Sequence, residues 1–129
     1  MNRAAFSVFV WGIYMIFSGL GFLLIPNFLL PRFGFSPTTD GWVRVLGLLV
    51  AIVGAYYWYC ARKNDLYFCR ATVVGRLVFE LGTVTLVLLG LAEEPLLLIG
   101  GMDACGAIWT WLALRSMGEM KLQGAPANA

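Results

Sequence analysis

Two charged residues, Arg76 and Glu80, lie four positions apart inside a segment that is otherwise apolar. Because residues with this spacing stack on one face of a helix, we expect their side chains to act together. Two more ionisable residues, Arg44 and Asp103, lie inside other apolar segments. A guanidinium group donates hydrogen bonds to carbonyl oxygens, and a carboxyl group can pass protons. These four residues are the candidate ligand-binding site or buried polar cluster.

Other kinds of reactive residue are scarce. The chain has no histidine, so the most common general base and metal ligand is missing. Its three cysteines, Cys60, Cys69 and Cys105, show no CxxC or zinc-type spacing, and we expect no bound metal. Cys60 and Cys69 flank one predicted hairpin, so a redox role for this pair stays open. No motif marks a catalytic residue, which favours a protein that is not an enzyme on its own.

The composition is that of a chain dissolved in lipid. Of its 129 residues, 60% are apolar and 12% are charged, and the mean hydropathy is +0.81. Soluble domains hold about 25% charged residues, so this chain has too few polar side chains to cover its surface in water. The net charge of +2 is too small for nucleic-acid binding. The expected partner is the lipid bilayer.

Four apolar segments are long enough to cross the hydrocarbon core of a bilayer, which takes about 20 residues per helix. They cover approximately residues 4–25, 41–61, 66–89 and 95–114. Most of the connections are short, so consecutive helices are expected to be antiparallel neighbours. The sequence thus predicts an all-α integral membrane protein, a four-helix up-down transmembrane bundle.

The bundle is predicted to be a single domain over residues 1–121, followed by a disordered tail at residues 122–129. Most basic residues fall on one side of the predicted bundle. They are Arg3, Arg62, Lys63, Arg70, Arg115 and Lys121. The positive-inside rule then places both termini of this multi-pass chain in the cytoplasm.

Depth in the bilayer separates the four ionisable residues from surface charges. At a rise of about 1.5 Å per residue, Arg44 lies ~5 Å below the outer end of its helix, Asp103 ~12 Å and Glu80 ~14 Å. A charge near the bilayer centre costs from ~2.5 to more than ~10 kcal/mol, so these groups should face the bundle interior. The alternative is a structural role, with Arg76 and Glu80 as an ion pair that sets helix rotation and Arg44 as an interfacial anchor.

Aromatic residues make up 15% of the chain. Trp11 and Tyr14 lie several residues inside the first apolar segment, which makes them the candidates for lining a pocket. The run Tyr56–Tyr59 lies at the end of the second segment. Aromatic residues are enriched where a membrane meets water, so this run is interpreted as part of an interfacial belt.

Three stretches carry a family resemblance: WVRVLGLLVAIVGAYYWYCAR (Trp42–Arg62), FCRATVVGRLVFELG (Phe68–Gly82) and GGMDACGAIWTWLALR (Gly100–Arg115). Together they resemble the small four-helix bacterial inner-membrane proteins of the DoxX-like and BphX-like kind, over about residues 5–115. The resemblance implies a location in the bacterial inner (plasma) membrane. Some members of such families look like membrane subunits of quinone-linked oxidation systems, and others accompany hydrocarbon-degradation enzymes. No catalytic motif of these families maps onto this chain.

These features favour a small membrane protein that binds a lipid-like or aromatic molecule, such as a quinone, or serves as an accessory subunit of a larger membrane system. A membrane-protein partner or a second copy of the chain would then join it. Three alternatives stay open. The chain is a quinone-linked oxidoreductase subunit, a proton- or solute-conducting oligomer with Glu80 and Asp103 as relay groups, or a purely structural subunit.

Overall fold

The computed structural model describes residues 1–124, and this part of the chain is helical apart from its connections. Its elements are α1 (Arg3–Leu24), α2 (Pro26–Leu29), a 3-10 turn (Leu30–Phe33), α3 (Trp42–Arg62), α4 (Leu66–Leu88) and α5 (Leu96–Gln123). Helices α1, α3, α4 and α5 are each long and apolar enough to cross a membrane. The prediction of an all-α fold with four such helices is confirmed.

The predicted helix ends agree within one residue for α1, α3 and α4. The last helix differs, since α5 continues past the predicted end at Leu114 to Gln123. The added residues are mostly polar but include good helix formers, and Arg115 Nε lies 3.3 Å from Glu119 Oε1 one turn later. Helix formation therefore continues where apolar character stops. The first two residues of the predicted tail are helical, and residues 125–129 lie outside the described residues.

Helix α1 is the centre of the packing, because it contacts α3, α4 and α5. Two pairs of glycines meet between α1 and α3: Gly12 lies against Gly54, and Gly19 lies against Gly47. A Cβ atom on Gly54 would lie 2.8 Å from the Gly12 carbonyl oxygen, so the two backbones are in contact. Small residues permit this close approach of helices in membranes.

The prediction that all consecutive helices are neighbours holds for α1 with α3 and for α4 with α5, but not for α3 with α4. Within residues 1–124, α3 packs along α1 and not along α4. The two helices do touch near their shared turn, where the rings of Tyr57 and Phe68 meet edge to face with centroids 5.3 Å apart. The glycine contacts keep α3 against α1. Because α1 also contacts α4 and α5, it connects the α1–α3 pair to the α4–α5 pair.

The start of α1 and the last turns of α5 lie at the same end of the bundle, called here the terminal end. The Asn2 backbone N–H donates to Asn64 Oδ1 at 2.8 Å, which ties α1 to the α3–α4 turn. The core at this end consists of small and apolar residues from α1, α3, α4 and α5. They are Ala4, Ala5, Val8, Ala61, Cys69 and Ala113. At the opposite end, Glu93 Oε2 accepts a hydrogen bond from the Ser36 hydroxyl at 3.1 Å.

Candidate functional site

One buried stripe of α4 faces the rest of the bundle. Its members recur at helical spacing, and they are Cys69, Thr72, Val73, Arg76 and Thr83. Arg76 is only 2% exposed. Its guanidinium carbon is 4.9 Å from the ring centroid of Trp11 on α1 and 5.2 Å from that of Tyr57 on α3. The negative face of an aromatic ring attracts a cation. Side chains of α1, α3 and α4 therefore meet around one buried charge.

A chain of hydroxyl groups links Arg76 to α1 and α5. Arg76 Nη1 donates a long hydrogen bond, 3.4 Å, to Thr110 Oγ1. The Ser7 hydroxyl donates to the same Thr110 oxygen at 2.9 Å, and the Thr110 hydroxyl donates to the Gly106 carbonyl at 3.1 Å. Ser7 and Thr110 are both at most 1% exposed, so this chain lies in the interior of the bundle.

Arg76 and Glu80 both keep hydrogen-bonding capacity that the described part of the chain does not use. Arg76 Nε, Arg76 Nη2 and Glu80 Oε2 are buried and have no hydrogen-bond partner among residues 1–124. The salt bridge found within that range joins Arg115 and Glu119, so Arg76 and Glu80 do not come within 4.0 Å of each other as an ion pair. An unsatisfied buried polar group costs about 1–3 kcal/mol, and more when it is charged. The described chain therefore leaves these hydrogen-bonding atoms unused at a cost in stability.

Helix geometry explains why Arg76 and Glu80 stay apart. Side chains lean toward the start of their helix, so Arg76 extends away from Glu80, and a basic residue placed before an acidic one is the less favourable order. The Glu80 carboxylate lies instead against α5, where a Cβ atom on Gly100 would collide with Glu80 Oε2. Gly100 thus leaves room for the carboxylate between the two helices.

Asp103 holds the Trp11 indole in place. Trp11 Nε1 donates to Asp103 Oδ1 at 2.9 Å. On the other side, a Cβ atom on Gly106 would lie 2.9 Å from the Trp11 ring and 3.1 Å from Arg76 Nη1, so this glycine lets both groups reach α5. Tyr14 lies beside Trp11, with ring centroids 5.2 Å apart, but it is 37% exposed. Trp11 therefore belongs to the interior of the site and Tyr14 to its edge.

Arg44 lies apart from the other three ionisable residues. Its Nη1 donates to the Leu23 carbonyl at 2.6 Å and to the Leu24 carbonyl at 3.3 Å. These carbonyls belong to the last turn of α1, which has no intrahelical donors left for them. The structure thus brings Arg76, Glu80 and Asp103 to one region and places Arg44 at the C-terminus of α1. This region then holds two carboxyl groups and one guanidinium, so the formal charges of these side chains no longer sum to zero.

Because Arg44 caps the end of α1, we expect Arg44→Met to destabilise the protein and to leave the arrangement of Arg76, Glu80 and Asp103 unchanged. Removing a cation from a helix C-terminus costs about 1 kcal/mol, which should lower the thermal unfolding midpoint in detergent by a few degrees. Arg70→Met, which removes an exposed arginine of α4, is the matched control. An unfolding midpoint for Arg44→Met equal to that of Arg70→Met would contradict the capping role.

Three residues of the site were not predicted as site residues from the sequence. Thr110 lies two turns after Asp103 on α5, and this spacing could have predicted that the two side chains share one face of the helix. Ser7 is an isolated hydroxyl in an apolar segment and carries no signal of its own. Tyr57 was assigned to an interfacial belt, but it is partly buried and faces Arg76. Its role depends on the rotation of α3 against α1, which no local pattern reveals.

Two surface grooves flank the site. One, of about 460 Å³, lies between α1 and α5 at the terminal end and includes Arg3, Phe6 and Trp109 in its lining. The other, of about 190 Å³, lies between α4 and α5 and has an apolar lining that includes Val73 and Ala107. Neither groove is lined by Arg76, Glu80 or Asp103. The unpaired atoms of Arg76 and Glu80 therefore do not open into either of these grooves.

No group of three or more metal-ligating side chains is found among residues 1–124. The cysteines in this range are not joined by disulfides: Cys69 is buried, Cys60 is half-buried and Cys105 is exposed. The cluster of Arg76, Glu80 and Asp103 remains the one place where the described chain combines buried charge, unused donors and aromatic rings.

A comparison of the chain with protein-family models, curated proteins and solved structures finds no match. The resemblance to DoxX-like and BphX-like proteins stays a prediction from the sequence.

Proposed function

We propose that the chain is a multi-pass integral membrane protein. Its exterior supports this, because large apolar side chains on every long helix face outward. Examples are Phe17 (72% exposed), Leu46 (59%), Leu81 (69%) and Leu98 (56%). In water, a protein with such a surface would aggregate, whereas lipid acyl chains solvate the apolar side chains. We also propose the bacterial inner membrane as its location, with the terminal end of the bundle in the cytoplasm.

Within that membrane, the proposed function is to bind the polar head of a lipid-like or aromatic molecule, such as a quinone, at Arg76 and Glu80. One observation carries this proposal: Arg76, 2% exposed, keeps two donor nitrogens, Nε and Nη2, without a partner in the described chain. Two donors on one rigid guanidinium suit a carbonyl or hydroxyl oxygen. Glu80 Oε2 is the matching acceptor for a ligand hydroxyl.

The aromatic rings around Arg76 support an aromatic or unsaturated head group. Trp11 and Tyr57 lie within 5.2 Å of the guanidinium carbon and offer apolar ring surface beside its unused donors. Ligand sites combine such apolar walls with a few polar groups that fix orientation. The protein would act as an accessory subunit, passing its ligand to a membrane-protein partner or to a second copy of the chain.

The direct test is to purify the protein in mild detergent and identify bound molecules by organic extraction and mass spectrometry. A short-chain benzoquinone and its hydroquinone are then titrated against the delipidated protein, with tryptophan fluorescence as the readout because Trp11 contacts the site. We expect saturable quenching by the benzoquinone. An alkylbenzene of the same size, which lacks oxygen, is the control. Quenching that rises linearly without saturation would contradict a specific site.

A further inference from the structure

The groove at the terminal end is amphipathic along its length. Arg3, the first residue of α1, and Ser116 of α5 lie at its outer limit. Deeper in the bundle its walls are Phe6, Trp109 and Leu112, which are 52%, 43% and 52% exposed. The rings of Phe6 and Trp109 meet edge to face at 6.5 Å between centroids, which gives the groove a fixed apolar wall.

The lining of this groove carries a positive charge. Arg3 is the charged side chain in its lining, which contains no acid. Glu119, on the next turn of α5, is already paired with Arg115 at 3.3 Å. This is the salt bridge found among the described residues, so Arg3 has no carboxylate partner there. The cation at the outer limit of the groove is therefore free to meet an anion.

We propose that this groove binds an anionic phospholipid, with the phosphate on Arg3 and one acyl chain along Phe6, Trp109 and Leu112. The order of the groups matches a lipid lying in a leaflet: the cation is at the helix end, where head groups lie, and the apolar walls run toward the bilayer centre. Basic residues near a membrane surface attract anionic lipids, and tryptophan prefers the same level. The inference rests on the proposed membrane insertion, but not on a ligand at Arg76.

The test uses the full chain in phosphatidylcholine vesicles that contain increasing fractions of lipid with brominated acyl chains. Bromine quenches tryptophan on contact, and the signal of Trp109 is isolated by subtracting the Trp109→Phe variant. Brominated phosphatidylglycerol should quench Trp109 half-maximally at about a three- to five-fold lower fraction than brominated phosphatidylcholine, the effect of one basic residue. Arg3→Gln should abolish this preference.

Arg70→Gln is the matched control, because Arg70 is also exposed, lies on α4 near the same end and does not line the groove. It should keep the wild-type preference. Equal quenching by the two lipids in the wild type would overturn the proposal, as would equal losses in Arg3→Gln and Arg70→Gln. Flotation with the vesicles is checked first, since a chain that does not float would contradict the membrane insertion on which both proposals depend. Loss of quinone binding alone leaves the groove proposal intact.

Discussion

Arg76→Met is expected to weaken binding of the benzoquinone probe by about ten-fold or more while the protein still folds. Methionine is an unbranched side chain of similar volume, but it lacks the guanidinium group. The substitution therefore removes the two buried nitrogens, Nε and Nη2, that have no partner in the described chain. Hydrogen bonds to a charged group contribute about 1.5–3 kcal/mol each, and 1.4 kcal/mol corresponds to a factor of ten in affinity. The measurement is fluorescence titration of the variant and the wild type, with circular dichroism and gel filtration as the check on folding.

Two further variants separate binding from structure. Arg44→Met removes an arginine that caps α1 and should leave the affinity unchanged. Arg76→Met/Glu80→Leu removes both groups that have unpaired atoms, and replacing buried charges by apolar residues of similar volume is often neutral or stabilising. We expect this double variant to fold and not to bind. Wild-type affinity in a folded Arg76→Met protein would refute the site and favour the purely structural role.

The second large effect is expected for Gly54→Leu, which should strongly destabilise the packing of α3. A Cβ atom at this position would lie 2.8 Å from both the Gly12 carbonyl oxygen and the Ile16 backbone nitrogen. Backbone atoms cannot rotate away as a flexible side chain can, so the two helices must separate. Overpacking of this kind costs about 1–3 kcal/mol or more. Because α3 packs chiefly on α1, no other helix compensates.

The destabilisation is measured as the midpoint of thermal or denaturant unfolding in detergent, followed by circular dichroism. Gly75→Ala and Gly82→Ala on α4 are the controls, since a Cβ atom at either position meets nothing within 4 Å. Alanine is favoured over glycine inside a helix by up to ~1 kcal/mol, so these two variants should be neutral or slightly more stable. A Gly54→Leu protein as stable as the controls would show that the α1–α3 contact is not close.

Several features of this protein could be predicted from the sequence because they depend only on the order of residues along the chain. Apolar character and the rise per residue locate membrane-length helices, and α1, α3 and α4 end within one residue of the predicted positions. The same arithmetic puts Glu80 and Asp103 at similar depths, and the structure brings both near Arg76. The end of α5 was missed because helix propensity continues beyond the apolar segment.

Side-chain partners could not be predicted in the same way, and Arg44 shows why. Its depth suggested a place in the buried cluster or at the interface. Its partners are the Leu23 and Leu24 carbonyls, and they lie within reach because α1 ends beside the start of α3. Tyr57 is the converse case: its position in an aromatic run suggested a lipid interface, but close packing of α1 and α3 turns its ring to Arg76.

The sequence by itself determined that the chain is made of four long apolar helices, and it put Glu80 and Asp103 at similar depths with Arg76 one turn deeper. Only the tertiary structure decided what these groups meet. Arg76 and Glu80 are one turn apart on α4, yet they do not pair, because Arg76 is drawn to Trp11, Tyr57 and Thr110 on other helices. Spacing along a helix sets which side chains share a face. The rotation of neighbouring helices decides which hydrogen-bond donors and acceptors find partners and which stay unpaired.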